Sequence, residues 1–427
     1  MPGHGHPHGH DHGHDHDRGH GQDAVGPEIA RWLRLVVAVV GLATVVGLAV
    51  LWPRGPGPDL RGTTSALDYV DARVESTSTD DCIDPAEQLP TECQIVEVTI
   101  TSGATNGDRA RVLIPSIDVG TPELAPGDRV VLVHNELAPP DFQYVFVEYQ
   151  RRTPLVLLGV LFAVVVVGFG RWKGVRALAG LVMTVGVVIV FLLPSLLRGN
   201  NAIAVALVAT SVVAFAALYV THGVSNSTTV ALVGTMASVL LITALAAVVT
   251  GIAHLSGLSD ESFQVLRVTA EAIDPRGLLV AGIVIGALGV LDDVTITQVT
   301  AVNELRRADP SMSRVEVYRA AVRIGRDHVA STVNTLVLAY VGASLALLLF
   351  FFEEGRAVSQ VLNREVVAIE IVRTLIGSIG LILSVPVTTA LAAATTDPPD
   401  GGPRAVDPPS TPRPPDWSDF APDEPDG

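Results

Sequence analysis

Eight stretches of mostly apolar residues, each 16 to 24 residues long, constrain this chain of 427 residues more than any other feature. A helix needs about 20 apolar residues to cross a bilayer. Charged residues make up 17% of the chain, against about 25% in soluble domains, which excludes a single soluble domain. The sequence therefore predicts an α-helical polytopic membrane protein with eight transmembrane helices. The stretches are 35–51, 155–170, 175–197, 202–220, 230–253, 278–297, 329–351 and 374–394.

The basic residues in the short loops predict the orientation, because arginine and lysine are more frequent on the cytoplasmic side. Arg171 and Lys173 lie between the second and third stretches, Arg176 lies at the start of the third, and the loop 298–328 holds six arginines. The short loops on the opposite side are poorer in arginine and contain acids such as Glu353. We therefore expect both termini in the cytoplasm.

The first 30 residues form a histidine-rich head that cannot pack a core. Neutral imidazole binds divalent transition metals, so the head is either an accessory metal-binding segment or an incidental low-complexity tail. No other cofactor is indicated. The stretch 35–51 follows 34 residues, which is too late for a cleaved signal peptide and predicts an uncleaved anchor. The candidate metal ligands are His4, His6, His8, His10, His12, His14 and His16.

Residues 59–150 form the one sizeable segment outside the apolar stretches, with 17 acidic residues and 5 arginines. Apolar and polar residues alternate in it, which is typical of β-strands and predicts a small extracytoplasmic β-barrel or sandwich. Cys82 and Cys93, the only cysteines of the chain, are expected to form a disulfide there. The alternating runs are 96–101, 111–114, 129–133 and 143–149.

The remaining parts of the chain are a seven-helix membrane bundle over 155–394 and a tail. The tail, 396–427, contains ten prolines and eight acids, which predicts a disordered cytoplasmic segment. The net charge of the chain is −16 and it has no basic stripe, which argues against a nucleic-acid partner.

The sixth apolar stretch carries the most informative pattern, because its glycines and polar residues repeat every three or four positions on one helical face. A carboxylate at membrane depth costs at least about 2.5 kcal/mol and suggests an ion or substrate path. The alternative is that the span ends at Leu291 and that Asp292 or Asp293 caps a cytoplasmic helix. The stripe consists of Gly282, Gly286, Gly289, Asp293, Thr297, Thr300 and Glu304.

Two further polar clusters are expected at the same face of the membrane. The seventh stretch begins with polar residues that include Asp327, His328, Ser331 and Asn334. His222 begins a polar turn between the fourth and fifth stretches. Polar groups that meet at one face of the membrane are what the entrance of a path needs. Loops at the membrane surface are polar in general, however, and this is the simpler interpretation of the His222 turn alone.

Enzymatic motifs are absent from the sequence. It has no His-Glu-x-x-His zinc motif, no Gly-x-Ser-x-Gly elbow and no Walker A motif, and Asp292-Asp293 lacks the Gly-x-Gly-Asp pattern of intramembrane aspartyl proteases. We therefore expect a protein that is not an enzyme. Glu370 and Arg373 in the eighth stretch are better interpreted as an ion pair at the outer interface than as part of a path.

The run from Gly325 to Gly342 (GRDHVASTVNTLVLAYVG), with Gly286 to Asp293 (GALGVLDD), resembles the YibE/F-like family of bacterial integral membrane proteins. The similarity extends over about 59–394. It implies a multi-span protein in the plasma membrane of a bacterium, with an extracytoplasmic β-domain after the first anchor, and it defines architecture rather than activity.

The leading hypothesis from the sequence is a permease or secondary transporter of an unidentified solute, with a cation as one candidate. The alternative is a non-transporting scaffold or sensor whose outer β-domain binds a ligand. The expected partners are the lipid bilayer, the solute and, as a further candidate, a second copy of the chain. The hypothetical path is lined by Asp292, Asp293, Thr297, Asp327, His328, Ser331 and Asn334.

Overall fold

The computed structural model of the protein describes most of the chain between the two terminal segments. The histidines of the head and nearly all of the proline-rich tail lie outside the described residues, so the metal-binding and disorder interpretations stay predictions. The described residues are 27–55, 68–83, 90–115, 123–139, 142–258, 273–353, 355 and 357–396.

Helices make up most of the described structure, as the apolar stretches predict. Among the described residues, six helical segments are long and apolar enough to cross a membrane, and the pair α7 and α8, bent by 60°, would form a seventh. A π-helical turn, Val188–Leu192, joins α2 to α3. The helices are α1 (Pro27–Leu51), α2 (Arg152–Val187), α3 (Leu193–Leu197), α4 (Ala202–His222), α5 (Asn226–Ile252), α6 (Pro275–Ala308), α7 (Arg314–Ala343), α8 (Leu345–Glu353), α9 (Val358–Leu362) and α10 (Glu365–Thr395).

The segment from α2 to α3 turns back on itself. It is 46 residues long, whereas about 20 residues suffice to cross a bilayer. Arg171 has φ 50° and ψ −128°, outside the helical region. A Cβ atom on Gly174 would lie 2.9 Å from the carbonyl carbon of Val166, although residues eight apart in a straight helix are separated by about 12 Å. The break at Arg171 therefore separates two helical arms, and it lies between the stretches 155–170 and 175–197.

Helices α5, α6 and α10 form the centre of the bundle, where many of the buried side chains lie. Helices α5 and α10 approach each other closely because Gly234 has no side chain. A Cβ atom at this position would lie only 2.5 Å from Thr388 Oγ1. Helices α1 and α4 pack around this centre. The first arm of α2, by contrast, exposes nearly all its apolar side chains, as expected for a helix that faces lipid.

Helix α6 is longer than the predicted span 278–297. It begins after Asp274, whose carboxylate accepts hydrogen bonds from the backbone N–H groups of Arg276 and Gly277, and it continues to Ala308. Asp292 and Asp293 therefore lie inside an unbroken helix. The interpretation that one of them caps a helix is wrong, because a capping residue precedes the first turn.

The segment between α1 and α2 forms an antiparallel sheet of five strands in the order β3-β2-β1-β4-β5. The edge strands β3 and β5 contact each other, so the sheet curls around an apolar core. Among the described residues this is one curled sheet, which excludes the predicted alternative of two packed sheets. The strands are β1 (Asp68–Ile83), β2 (Pro90–Ile100), β3 (Arg109–Pro115), β4 (Arg129–His134) and β5 (Tyr144–Tyr149).

Cys82 and Cys93 lie on the paired strands β1 and β2. The structure joins them in a disulfide, with their Cα atoms 5.7 Å apart. The bond closes the hairpin between the two strands.

Candidate functional site

The polar residues of α6 and α7 meet at Asp293 and His328. His328 Nε2 lies 4.0 Å from Asp293 Oδ2, which is within the range of an ion pair when the imidazole is protonated. Helices α6 and α7 run antiparallel here, and both residues lie near the middle of their helices. Both residues belong to the clusters that the sequence predicts at one face of the membrane.

The third predicted cluster lies beside this pair. His222, at the end of α4, is close enough to Asp293 for an electrostatic attraction, and Lys173 from the α2 hairpin is also close to His222. Asn303 Nδ2 of α6 donates a hydrogen bond to Ser227 Oγ at 2.8 Å, which joins the first turn of α5 to α6. The Asp293 carboxylate of α6 therefore lies near His328 of α7 and His222 of α4, and Lys173 of the α2 hairpin lies near His222. We call Asp292, Asp293, His222 and His328 the acid–imidazole cluster.

Two atoms of this cluster are buried without a hydrogen-bond partner in the described part of the chain. They are Oδ1 of Asp292 and Nε2 of His328. Asp293, in contrast, is exposed over 73% of its side chain. A buried carboxylate oxygen requires a proton, water or a cation. The cluster therefore combines an exposed acid with a neighbouring half-buried one that has one buried oxygen, as a site that takes up an ion or a proton requires.

The other predicted path residues do not join this cluster. Thr297 Oγ1 donates to the backbone carbonyl of Asp293 at 2.7 Å, a bond within the same helix. Asp327, Ser331 and Asn334 are exposed, and their side chains make no hydrogen bond with the acid–imidazole cluster in the part that the structure describes. Their spacing of four and three residues places them on a face of α7 about 100° away from His328.

A second polar group lies inside the bundle and was not predicted from the sequence. Thr235 Oγ1 of α5 and Thr295 Oγ1 of α6 are 2.7 Å apart, and Thr389 Oγ1 of α10 donates to Gln298 Oε1 at 2.9 Å. Each of these four side chains is fully buried. We call these four residues, with Thr388, the threonine–glutamine layer. The available signal was a glutamine within α6 together with the pair Thr388-Thr389 in the apolar eighth stretch.

The threonine–glutamine layer is only partly satisfied. Gln298 Nε2 and Thr388 Oγ1 have no hydrogen-bond partner among the described residues. Gly325 of α7 packs directly on the amide, since a Cβ atom there would lie 2.7 Å from Gln298 Nε2. The layer therefore joins the three central helices and also contacts α7 three residues before His328.

A different polar pair lies towards the other end of α7 and α10. Arg373 Nη1 lies 3.1 Å from Glu370 Oε1, so these residues form the ion pair that the sequence predicts. Tyr340 is nearby, and its hydroxyl would lie 3.3 Å from a Cβ atom on Gly286 of the α6 stripe. A mainly apolar cavity of about 220 Å³ opens between α7, α8 and α10 beside this pair.

No metal centre is evident in the part of the chain that the structure describes. No group of three or more His, Cys, Asp or Glu side chains there is arranged to hold an ion. Asp293 and His328 supply two donors at most, which suits transient binding better than a structural metal.

The fold and these polar groups define a polytopic α-helical membrane protein with a β-domain between its first two helices. The chain belongs to the YibE/F-like family, whose model matches residues 158–397. This match begins within α2, so the β-domain lies outside it, whereas the sequence resemblance was expected to start near residue 59. No curated protein and no solved structure was found to match the chain.

Proposed function

We propose that this protein is a permease or secondary transporter whose path enters the bundle at the acid–imidazole cluster. The observation that carries the proposal is the approach of Asp293 to His328, from two different helices, beside the buried carboxylate oxygen of Asp292. Ionisable groups inside a membrane bundle are costly and commonly mark ion pathways or proton relays.

The chemistry of the cluster favours a cation or a proton as the transported or coupling species. Carboxylates bind cations directly, and an imidazole exchanges its proton near neutral pH. Asp293 is exposed and Asp292 is half-buried, so a cation could pass from the solvated acid to the enclosed one. The glycines of α6 leave room for this helix to shift against α7, which alternating access requires.

We infer eight membrane crossings in a bacterial plasma membrane, with both termini in the cytoplasm. The hairpin at Arg171 divides α2 and α3 into two crossings, and the bent pair α7 and α8 supplies one more. The proximity of Lys173 to His222 supports this count, because it brings the hairpin to the same end of the bundle as the acid–imidazole cluster. This arrangement puts the β-domain outside the cell.

Uptake into proteoliposomes tests the proposal. The purified protein is reconstituted at one density, and protons, Na⁺, K⁺, Mg²⁺, Mn²⁺ and Zn²⁺ are screened with fluorescent indicators against protein-free vesicles. We expect at least one of them to cross faster with the protein present. Rates equal to those of empty vesicles for every species would favour the scaffold or sensor alternative.

A further inference from the structure

Three of the five arginines of the β-domain lie in one row across the curled sheet. In the strand register, Arg73 of β1 is paired with Arg129 of β4 on one side and with Thr99 of β2 on the other, and Thr99 is paired with Arg109 of β3. Directly paired residues in an antiparallel sheet project from the same face. The side chains of three arginines and one threonine therefore lie side by side on one face of four neighbouring strands.

This row is electrostatically unfavourable in the isolated domain. Like charges directly opposite each other on neighbouring strands destabilise a sheet. All three arginines are exposed, and none of them forms an ion pair with another residue of the described chain. The domain has 17 acids and 5 arginines, so acidic side chains were available to neutralise the row. No acid is paired within the row, and Asp71, two residues before Arg73 on the same face of β1, offsets only one of the three positive charges.

A cavity lies at one end of the row. It has a volume of about 270 Å³, and it is lined by two arginines, one acid and three further residues: Arg73, Arg129, Asp71, Ala72, Thr101 and Gln150. Gln150 donates its backbone N–H to the carbonyl of Arg129 at 2.8 Å, two residues before α2 begins. The cavity therefore lies close to the point where the chain enters the membrane.

We propose that this cavity binds an anion that carries a phosphate or carboxylate group, with Arg73 and Arg129 as its main ligands. Guanidinium groups offer paired donors that match the oxygen atoms of such groups. Thr101 and Gln150 supply further polar atoms, and Asp71 weakens binding by repulsion. The anion is either soluble or the headgroup of a lipid beside α2. This inference is independent of transport.

The test uses the full-length protein in nanodiscs of phosphatidylcholine, with inorganic phosphate as the probe and calorimetry as the readout. We expect Arg73→Gln and Arg129→Gln each to weaken binding about tenfold, the usual effect of losing one charged hydrogen-bonding partner. The matched control is Arg111→Gln, because Arg111 lies on the same face of β3 but opposite Glu97, outside the row. We expect it to change the affinity by less than about twofold.

A variant that binds phosphate more tightly would show that the losses in the other variants are not caused by misfolding. Asp71→Asn removes the repulsion and should strengthen phosphate binding, which a misfolded domain would not do.

A second set of discs containing spin-labelled phosphatidylglycerol distinguishes a lipid headgroup from a soluble anion. Enrichment of this lipid around the wild type but not around Arg129→Gln assigns the site to a headgroup, whereas phosphate binding without enrichment assigns it to a soluble anion. Absence of both, or equal losses in Arg73→Gln and Arg111→Gln, would overturn the proposal.

Discussion

Single residues decide how closely α7 packs on the core, and Gly325 is the clearest case. A Cβ atom there would lie 2.7 Å from both Gln298 Nε2 and Val385 Cγ1. We expect Gly325→Ala to lower the free energy of unfolding by about 1–3 kcal/mol relative to Gly342→Ala, the cost of overpacking a tight core. Gly342 is the matched control, because it lies on the same helix with open space around it. Thermal unfolding in detergent measures both, and equal midpoints would contradict the packing described for Gly325.

The disulfide is a second residue-scale prediction. We expect no reactive thiol in unreduced protein, because Cys82 and Cys93 are paired and are the only cysteines of the chain. The Cys82→Ser variant should lose roughly 2–3 kcal/mol of β-domain stability by chain-entropy reasoning. Thiol counting before and after reduction decides the first point. Two reactive thiols before reduction would contradict it.

The sequence predicted exposed and interfacial site residues better than buried ones. Asp293 and His328 could be identified, because charged or titratable groups near an apolar stretch are conspicuous. The sequence also predicts the His222 turn at this face, but taken alone it indicates only a polar loop, whereas the fold brings His222 close enough to Asp293 for an electrostatic attraction. Gln298 and Thr388 were missed, because threonine is common in membrane helices and only the packing of three helices shows that these side chains share one layer.

At the scale of elements, the α2 hairpin depends on a close contact between its two arms. A Cβ atom on Gly174 would clash with the carbonyl oxygen of Val166, and a backbone atom cannot move aside as a flexible side chain can. We therefore expect Gly174→Ala to lower the unfolding temperature, whereas Gly168→Ala, with nothing within 4 Å, should not. Thermal scans in detergent compare the two. Similar unfolding temperatures for the two variants would show that the arms do not pack as described.

Element boundaries show why the sequence was less informative in the β-domain than in the bundle. Strands β2 to β5 contain the predicted alternating runs, but the central strand β1 was not predicted. Its second half, Glu75–Cys82, consists of polar residues without apolar alternation, because it extends beyond the core as a hairpin with β2. Helix α6 also extends beyond the predicted span, because a helix need not end at the last residue of its apolar stretch.

At the scale of the whole molecule, the eight-crossing arrangement makes a labelling prediction. Cysteine placed at Ala104 in the β-domain should react with an impermeant maleimide in intact cells, in a background where Cys82 and Cys93 are serine. Cysteines at Lys173 and Thr411 should react only after the membrane is opened. If Lys173→Cys reacts from outside or not at all, the hairpin does not return to the cytoplasmic face.

The two polar groups lie in different parts of the membrane bundle. Three central helices are tied by buried hydroxyl and amide groups, while the acid–imidazole cluster lies where α4, α6, α7 and the α2 hairpin meet. We infer that the first group holds the bundle together and the second exchanges ions with the solvent. The two groups should therefore respond differently to substitution, with stability affected by the first and transport by the second.

The most direct test compares the flux of the Asp293→Asn and Asp309→Asn variants in proteoliposomes, for whichever cation crosses with the wild type. Both changes remove one carboxylate and keep its shape, but Asp309 lies just after α6, and its carboxylate accepts hydrogen bonds only from Ser311 among the described residues. We predict that Asp293→Asn abolishes flux at unchanged thermal stability, whereas Asp309→Asn retains it. Wild-type flux in a stable Asp293→Asn protein would contradict the proposed path.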